Sequence, residues 1–505
     1  MSKKVYLDNA REEFLLGVEL VYTPVVSTMG PMGKNAFIGR PYQSPLVSND
    51  GVTVARSISS SNPALNASIE MMKEVSSLME KEVGDGTTTV ISLTRNLLKE
   101  SHKLLQADYQ PTHLKQQLQA DSKQALSILD TLKQPTTTEQ ELIDVATISS
   151  KDPDIGTIIG SLTHQVGIDG VIKVEEGHHT IEPELIKGLV LDSGVISNYM
   201  ITDSKTMSTT FTNPKILLSN GPITKLKELQ PILTKLENKG INELFIICDG
   251  ISEDILNLIE RAKGIFKIAV IKCPSMGTIQ KELMEDIASL VGAELVSNFK
   301  SVAMKKLGQA KKIVVTKEET TIFEGKGDPT ERLNMLKYEE SKALSDHDKQ
   351  ALSTRIASLT GKLGIIKVGS PTESEKERLK QLVDDAVSAT RAAQQEGIVP
   401  GGGITLVNLA GLINTSTEGS KILQKALQMP FKTILENADI DPGYWLAQLE
   451  GTSGEGLNVK DHKGLIPLMD NGIIDPVKVT RLAIEYAVAY ASNFIDMGSL
   501  IVDEE

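Results

Sequence analysis

Cysteine and aromatic residues are scarce in this sequence, and their scarcity argues against two kinds of protein. The chain has only two cysteines in 505 residues, Cys248 and Cys273, and they form no Cys-x-x-Cys pair. A disulfide framework is therefore not expected, and both thiols are interpreted as buried side chains in a reducing compartment. Aromatic residues make up 4% of the chain, with Trp445 as the single tryptophan, which argues against stacking platforms for single-stranded nucleic acid.

Long apolar runs and an excess of positive charge are also absent. No stretch approaches about 18 continuous apolar residues, so we expect no membrane-spanning segment. The first residues, MSKKVYLDNAREE, lack the apolar core of a secretory signal, and we expect a cytoplasmic protein. The formal net charge is −13, from 53 Lys and Arg against 66 Asp and Glu, and an acidic surface repels nucleic-acid backbones. We therefore expect neither nucleic acid nor a membrane as a partner, whereas a single nucleotide site is compatible with this charge.

The apolar pattern changes twice along the chain. Helical spacing dominates the first third, for example at Phe14, Val18 and Val21, and helical patterns return with residues 372–396. Between them, β-rich runs such as residues 244–248 alternate with helical segments, which predicts an α/β unit. At roughly 100–200 residues per domain, the length predicts about three domains. Either three domains follow one another, or the helical ends form one domain with the α/β part inserted, and composition does not choose between these arrangements.

Three glycine-rich segments are candidates for binding phosphate, because glycines let backbone N–H groups approach an anion. Residues 28–35 (TMGPMGKN) lack the G-x-x-x-x-G-K-[ST] spacing of a P-loop, so a tight turn explains them equally well. Residues 84–89 (GDGTTT) combine Asp85, a hard oxygen ligand suited to Mg²⁺, with three threonines at a predicted helix N-terminus. A helix cap explains this segment too, although three adjacent threonines exceed what capping needs. Residues 400–403 (PGGG) are a weak signal alone.

Several carboxylates complete the candidates for chemistry. Asp50 lies in a turn signal, Asp475 lies between Ile474 and a proline, and Asp385 lies in the predicted helix that leads to the triple glycine. Each of them alone is more often a turn or surface carboxylate. The H-E-x-x-H, H-x-x-E-H and G-x-S-x-G signatures are absent from the sequence, so the corresponding zinc-peptidase and hydrolase chemistry is not indicated.

In this order and at these separations, the motifs resemble the group I chaperonins, the GroEL type. The agreement extends from about Tyr6 to Asp503, and the combination is far more specific than any one motif. The segments that carry the resemblance are 28–31 (TMGP), 49–52 (NDGV), 84–89 (GDGTTT), 146–149 (ATIS), Asp385 with 389–393 (ATRAA), 401–403 (GGG) and 469–481 (MDNGIIDPVKVTR).

The resemblance implies a multidomain α+β protein with the chaperonin fold, and it favours the inserted arrangement. Residues 1–131 and 396–505 would form a helical equatorial domain that binds ATP. Residues 132–186 and 364–395 would form a small intermediate domain, and residues 187–363 an inserted α/β apical domain.

The resemblance also implies an ATPase site that uses Mg²⁺, with K⁺ as a candidate second cation. Asp385 would orient the attacking water with help from Asp50, and Asp85 would ligate Mg²⁺. This division fits phosphoryl transfer, in which positioning and a metal ion provide most of the catalysis. The residues implied to bind ATP are Thr28, Met29, Gly30, Pro31, Asn49, Asp85, Gly86, Thr87, Thr88, Thr89, Gly402, Asn458, Val459, Lys460 and Asp475.

A second implied site is an apolar apical surface that captures non-native polypeptides and binds a GroES-type co-chaperonin. Such a surface accepts many sequences because hydrophobic attraction is non-directional. Core packing explains the same apolar pattern, and the sequence does not separate the two explanations. The resemblance further implies a homo-oligomer of seven-membered rings, single or double. The implied capture residues are Val195, Ser197, Tyr199, Met200, Leu233, Ile255, Leu258 and Ile259.

Several departures from the family pattern mark a divergent member. Asn49 stands where the family commonly has a lysine, which removes a cation close to the nucleotide phosphates. Val459 and Lys460 replace small residues beside the nucleotide base. Gln230 and Asn198 replace a leucine and a proline in the segments that carry the capture surface.

Three hypotheses for the function follow from these observations. The leading one is an ATP-dependent chaperone that assists folding inside a ring cavity, with ATP hydrolysis timing the cycle. The departures at the capture surface motivate an alternative, a nucleotide-binding ring scaffold with weak hydrolysis or no lid partner. A third hypothesis, a kinase or ATPase acting on small molecules, predicts a monomer or small oligomer. A group II chaperonin would need an apical helical protrusion, and we find no extra insertion between Gly188 and Gly361 to build one.

Overall fold

The structure, a computed structural model, describes residues 3–6, 9–40, 43–168, 170–177, 181–204, 206–297, 299, 302–343, 345–461 and 463–503. In chain order, its helices are α1 (Ala10–Val26), α2 (Gly51–Arg56), α3 (Pro63–Val83), α4 (Thr87–Gln106), α5 (Pro111–Leu132), α6 (Glu139–Ser150), α7 (Pro153–Val166), α8 (Leu226–Glu237), α9 (Glu253–Ala262), α10 (Gly277–Val291), α11 (Thr330–Lys342), α12 (Asp346–Thr360), α13 (Glu373–Glu396), α14 (Ile404–Leu412), α15 (Glu418–Leu427), α16 (Met429–Asn437), α17 (Pro442–Leu449) and α18 (Val477–Ile495). Its strands are β1 (Lys3–Tyr6), β2 (Ala36–Arg40), β3 (Gln43–Ser48), β4 (Val171–Glu176), β5 (Ile181–Leu191), β6 (Thr209–Thr212), β7 (Lys215–Leu218), β8 (Glu243–Cys248), β9 (Lys267–Lys272), β10 (Gly308–Val315), β11 (Thr320–Gly325), β12 (Lys362–Val368), β13 (Ile398–Pro400), β14 (Glu455–Leu457), β15 (Leu465–Pro467), β16 (Ile474–Pro476) and β17 (Leu500–Asp503).

Two compact units divide the chain. Unit 1 combines residues 1–164, 177–181 and 368–505, and unit 2 combines residues 165–176 and 182–367. Both helical ends of the sequence therefore belong to unit 1, and most of the mixed segment belongs to unit 2. The α+β class predicted from the sequence is confirmed, whereas the boundaries of the equatorial, intermediate and apical domains stay a prediction.

Unit 1 is built around a helical core. Helices α1, α3, α4, α5, α15 and α18 each turn an apolar face inward, with Val21, Ile91 and Ala487 fully buried. Apolar residues spaced three and four apart produce such a face on a helix. The rings of Phe14 and Phe494 pack with their centroids 5.7 Å apart, so residues from the two ends of the chain share one core.

Unit 2 is built on one mixed sheet. Its strand order is β4-β12-β5-β11-β10-β7-β8-β9, with β6 paired to β10. The pairs β7–β8 and β8–β9 are parallel, with Leu244 opposite Lys215 on one side and Ile268 on the other. Residues 244–248 are all fully buried, as expected for a parallel strand that is covered on both faces. The β-rich run predicted at 244–248 is therefore confirmed as a strand.

The described helices give no sign of a membrane-spanning segment, because none of them is both long and apolar enough to cross a bilayer.

Asp286 on α10 holds the helix pair α11 and α12 in unit 2. Its side chain is almost completely buried and accepts hydrogen bonds from two guanidinium groups. Nε of Arg332 on α11 donates at 2.7 Å, and Nε and Nη2 of Arg355 on α12 donate at 2.7 and 2.9 Å. One buried carboxylate therefore ties two helices to a third.

Removal of this carboxylate should loosen α11 and α12. In Asp286→Ala, both arginines lose their buried acceptor, with an expected local cost of about 3 kcal/mol. Hydrogen exchange followed by mass spectrometry should then show faster amide exchange in both helices than in the parent protein. The matched control is Glu294→Ala, which removes an exposed partner of Lys306 and should leave exchange unchanged. Equal protection of α11 and α12 in Asp286→Ala and the parent would contradict the anchoring role.

Candidate functional site

The turn between α3 and α4 carries the first group of predicted site residues. Gly84 has φ +65° and Gly86 has φ +75°, left-handed values that favour glycine at both positions. Asp85 lies between them, and its Oδ1 accepts a hydrogen bond from the backbone N–H of Gly86 at 2.6 Å. Residues 87–89 form the first turn of α4, where backbone N–H groups have no partner within the helix. A carboxylate beside such N–H groups suits a phosphate that carries a metal ion.

Asp50 lies beside the start of α4. A Cβ placed on Gly51 would lie only 2.3 Å from Oγ1 of Thr88, so the backbone after Asp50 passes directly against the first turn of that helix. The carboxylate of Asp50 caps α2, because it accepts hydrogen bonds from the backbone N–H groups of Val52 at 3.4 Å and Thr53 at 2.8 Å. Capping fixes the direction of this carboxylate beside the α4 N-terminus.

Helix α13 brings Asp385 to the same turn. A Cβ placed on Gly84 would lie 2.4 Å from Cβ of Ser388 and 3.6 Å from Cα of Asp385. One helical turn before Asp385, Nε2 of Gln381 donates a hydrogen bond to Oδ2 of Asp50 at 3.0 Å. An open cleft of about 430 Å³ lies along this contact. Its lining includes Thr53, Arg56, Glu80, Gly84, Gln381, Asp385 and Ser388.

Carboxyl groups are concentrated where these segments meet. Burial and the nearby charges of Asp50 and Asp85 raise the pKa of Asp385 to about 8. Burial and the charge of Asp85 raise the pKa of Asp475 to about 7, and burial is also the main cause that raises the pKa of Asp85. A bound cation would favour the ionised form of each carboxyl group, so this group of carboxylates favours cation binding.

The donor set at Asp85 fits Mg²⁺. Its carboxylate oxygens are hard ligands, and Mg²⁺ in proteins is usually held by one or two carboxylates together with waters and substrate phosphates. Within the described residues, no group of three or more His, Cys, Asp or Glu side chains is placed to hold a metal ion by itself. A single carboxylate such as Asp85 is the kind of protein ligand that suits Mg²⁺ bound together with phosphates.

Lys151, which the sequence analysis did not single out, is an exposed residue whose charge acts on these carboxylates. It follows α6 in a left-handed conformation with φ 58°, and its ammonium charge interacts with Asp85, Asp50 and Asp385. Sequence spacing gave no reason to place it there, because these carboxylates come from three other segments of unit 1. The signal that could have pointed to it is Asn49, because the family that the sequence resembles commonly has a lysine at that position.

Residues from three of the segments predicted to bind ATP meet at an apolar cluster formed by α14, α16, α17 and β14. A Cβ on Gly30 would lie 3.2 Å from Ile434, and a Cβ on Gly402 would lie 3.8 Å from Ile473. Both isoleucines pack against this cluster, to which the buried Val459 also belongs. The structure thus brings together three predicted segments that are far apart in sequence.

Hydrogen bonds fix the loop at residues 28–31. Oγ1 of the buried Thr28 donates to the carbonyl oxygen of Val25 at 2.8 Å. Nδ2 of Asn437, at the end of α16, donates to the carbonyl oxygen of Met29 at 2.9 Å. Two different elements therefore determine the path of this loop, which includes Pro31.

The last predicted nucleotide residues lie on β16 and in two short loops. Asp475 on β16 is close to the triple glycine, because a Cβ on Gly401 would lie 3.0 Å from its Oδ1. Oδ1 of Asn458 accepts a hydrogen bond from the backbone N–H of Lys460 at 3.1 Å. The side chains of Lys460 and Asn49 are exposed, and their predicted contact with a nucleotide stays a prediction.

The predicted capture residues in unit 2 divide into buried and accessible side chains. Tyr199 is 65% exposed and lines, with Ser197 and α9, a groove of about 170 Å³. Val195 and Leu258 are partly buried against the core of unit 2. The other four predicted capture residues are buried in that core, with at most 8% of each exposed: Met200, Leu233, Ile255 and Ile259. Core packing accounts for the apolar pattern at Leu233 and Ile255, whereas Met200 and Ile259 also line the groove beside Tyr199. The capture role of the whole set stays a prediction.

Comparisons with known proteins agree with the fold and with the motifs. One similar solved structure is the crystal structure of the chaperonin gp146 from the bacteriophage EL 2 (Pseudomonas aeruginosa), determined in the presence of ATP-BeFx. The match has a TM-score of 0.75 and 20% sequence identity, and it covers 99% of this chain and 99% of that one. At this sequence identity, the match confirms the predicted chaperonin fold alone. The model of the TCP-1/cpn60 chaperonin family matches residues 21–505, and the chain therefore belongs to that family as a divergent member.

Proposed function

We propose that this protein is an ATP-dependent molecular chaperone that captures non-native proteins and assists their folding inside a ring cavity. Membership of the chaperonin family supports the chaperone role. The ATP-BeFx used with the similar phage chaperonin supports ATP as the nucleotide. The observation that carries the proposal is the meeting of Asp50, Asp85 and Asp385 at the N-terminus of α4.

The proposed ATPase reaction assigns one task to each side chain of this group. Backbone N–H groups of the first turn of α4 bind phosphate oxygens, and the carboxylate of Asp85 holds Mg²⁺. When bound, Mg²⁺ neutralises charge on the phosphates as it develops during the transfer. Asp385 accepts a hydrogen bond from the attacking water and orients it, and Asp50 assists that orientation.

Lys151 supplies the positive charge that Asn49 does not. A cation near three carboxylates lowers the repulsion among them, and the same ammonium group is available to a phosphate oxygen. In this proposal the phosphate-binding cation has moved from position 49, before α2, to position 151, after α6. Hydrolysis at this site is then compatible with the loss of the lysine commonly found at position 49.

The proposal extends to the partners that the resemblance implies. The protein forms seven-membered rings, single or double, and its apical surface binds non-native polypeptides and a GroES-type lid. K⁺ is the second cation that the resemblance implies for the phosphate site. A second candidate function, a nucleotide-binding ring scaffold with weak hydrolysis or no lid partner, is favoured by the burial of Met200, Leu233, Ile255 and Ile259.

Substitution of the water-orienting carboxylate should abolish most of the ATPase activity. In Asp385→Ala we expect steady-state ATP turnover to fall about 100-fold or more, because a positioned acid or base of this kind typically contributes that much. Phosphate release from the purified protein measures this change. The matched control is Glu375→Ala, which removes an exposed carboxylate from the first turn of the same helix, where it pairs with Arg378, and should retain turnover within about threefold. Unchanged turnover in Asp385→Ala would contradict the assigned mechanism.

Removal of the relocated cation should weaken nucleotide binding. In Lys151→Ala we expect the KM for MgATP to rise about tenfold, since a charge-assisted contact is lost. Lys151→Arg keeps the charge and should lose much less. The decisive variant is the double substitution Lys151→Ala with Asn49→Lys, which should recover most of the lost affinity. A KM in Lys151→Ala equal to that of the parent would show that this lysine does not serve the phosphates.

The ring and the chaperone activity are testable together. Analytical ultracentrifugation should give a particle of one or two seven-membered rings, and that particle should suppress aggregation of a chemically denatured client. ATP with a GroES-type partner should then release refolded client. A monomer or small oligomer would instead favour the small-molecule kinase or ATPase. A ring that hydrolyses ATP slowly and leaves aggregation unchanged would favour the scaffold.

A further inference from the structure

Gln381 on α13 is the only side chain of that helix for which we find a hydrogen bond to Asp50 in the described part of the chain. Its Nε2 donates to Oδ2 of Asp50 at 3.0 Å and lies 3.4 Å from Oγ1 of Thr53, within reach of a weaker second bond. Both acceptors belong to the start of α2, where Oδ2 of Asp50 also accepts the backbone N–H of Thr53 at 2.8 Å. One amide group therefore connects the helix that carries Asp385 with the helix start that carries Asp50.

The position of Gln381 in α13 relates this bond directly to Asp385. Residues 381, 385 and 388 lie at spacings of four and three, so they share one face of the helix. Ser388 packs against Gly84, where a Cβ would lie 2.4 Å from Cβ of the serine. The face of α13 thus docks at two points, Gln381 on Asp50 and Ser388 on Gly84, with Asp385 between them.

The charges around this contact explain why a neutral amide suits position 381. Asp50, Asp85 and Glu80 all act on Asp385, and their charges oppose the approach of α13. An amide donor satisfies the carboxylate of Asp50 without adding another negative charge. A glutamate at position 381 has nearly the same shape, but it would add a negative charge. Its carboxylate oxygens are acceptors and would face the carboxylate of Asp50, which is also an acceptor. The contact therefore offsets part of the repulsion that docking of α13 creates.

We propose that Gln381 is a positioning residue that docks α13 on the start of α2 and thereby holds Asp385 at the nucleotide. The inference rests on the proposed ATPase function. Gln381 acts through Asp50 and Asp385 and needs no contact with the nucleotide itself. Its loss lowers the rate of hydrolysis by reducing the time that Asp385 spends in place, and it leaves the affinity for nucleotide nearly unchanged.

The test compares Gln381→Leu, which removes the donor at similar volume, with Gln381→Glu, which also adds a charge. Single-turnover hydrolysis of ATP measures the chemical step, and calorimetry with a non-hydrolysable ATP analogue measures affinity. Gln394→Leu is the matched control, because Gln394 is also on α13 but donates to the carbonyl oxygen of Thr163. Thermal unfolding of each variant identifies those that are generally destabilised.

We expect the single-turnover rate to fall about tenfold in Gln381→Leu, as for the loss of a hydrogen bond to a charged group, and further in Gln381→Glu. Affinity should change less than about twofold in both, since neither touches the phosphates, and Gln394→Leu should match the parent. Higher ionic strength should recover part of the rate in Gln381→Glu, whose defect includes repulsion, and none in Gln381→Leu. A merely structural role would not produce this difference in salt dependence.

Two results would overturn the inference. Rates equal to the parent in both Gln381 variants would show that the bond does not position Asp385. A parallel loss of rate, affinity and thermal stability would show a general structural role. Both results are distinguishable from failure of the proposed function, in which the parent protein itself hydrolyses no ATP and Asp385→Ala makes no difference.

Discussion

Repulsion among carboxylates is the interaction on which the rest of the site in unit 1 depends. Asp85, Asp385 and Asp475 come from three separate segments, and burial is the main cause that raises the pKa of each. The charge of Asp50 adds to the effect at Asp85 and at Asp385, and the charge of Asp85 adds to it at Asp385 and Asp475. Such an arrangement costs folding free energy unless positive charge or hydrogen-bond donors offset it. Lys151 contributes charge and Gln381 contributes a neutral donor. The remaining negative charge favours a divalent cation, which is the property that a site for a metal-bound nucleotide requires.

The course of the chain explains how these groups come together. Asp50, Asp85 and Lys151 precede most of unit 2 in sequence, whereas Asp385 and Asp475 follow it. The site therefore forms only when both ends of the chain have folded into the shared core of unit 1. Strand β12 ends at Val368 and α13 begins at Glu373, so a short segment of chain joins the sheet strand to the helix that carries Asp385. Gln381 and Ser388 therefore dock a helix that only a short segment separates from β12 in the chain.

The sequence predicted the local features of this protein well, because glycine turns, helix starts and apolar strands are determined by nearby residues. The turn at residues 84–89, the strand at 244–248 and the helix at 372–396 are examples. Lys151 and Gln381 were not predicted, because their interactions depend on segments that are distant in sequence. A local sequence pattern does not show how such segments pack. The buried Ile255 and Leu233 were ambiguous for a different reason. An apolar residue on an amphipathic helix fits a core and a capture surface equally well until its exposure is known.

The most direct test of the central claim is steady-state ATP turnover by the purified protein as Mg²⁺ is titrated from zero, with EDTA defining the baseline. A carboxylate site that lacks its cation should be inactive, and turnover should rise and saturate as Mg²⁺ is added. Restoration of activity after EDTA treatment, by Mg²⁺ alone, would show that the metal serves the reaction and not the fold. Absence of turnover at every Mg²⁺ concentration, or turnover that EDTA leaves unchanged, would contradict the account.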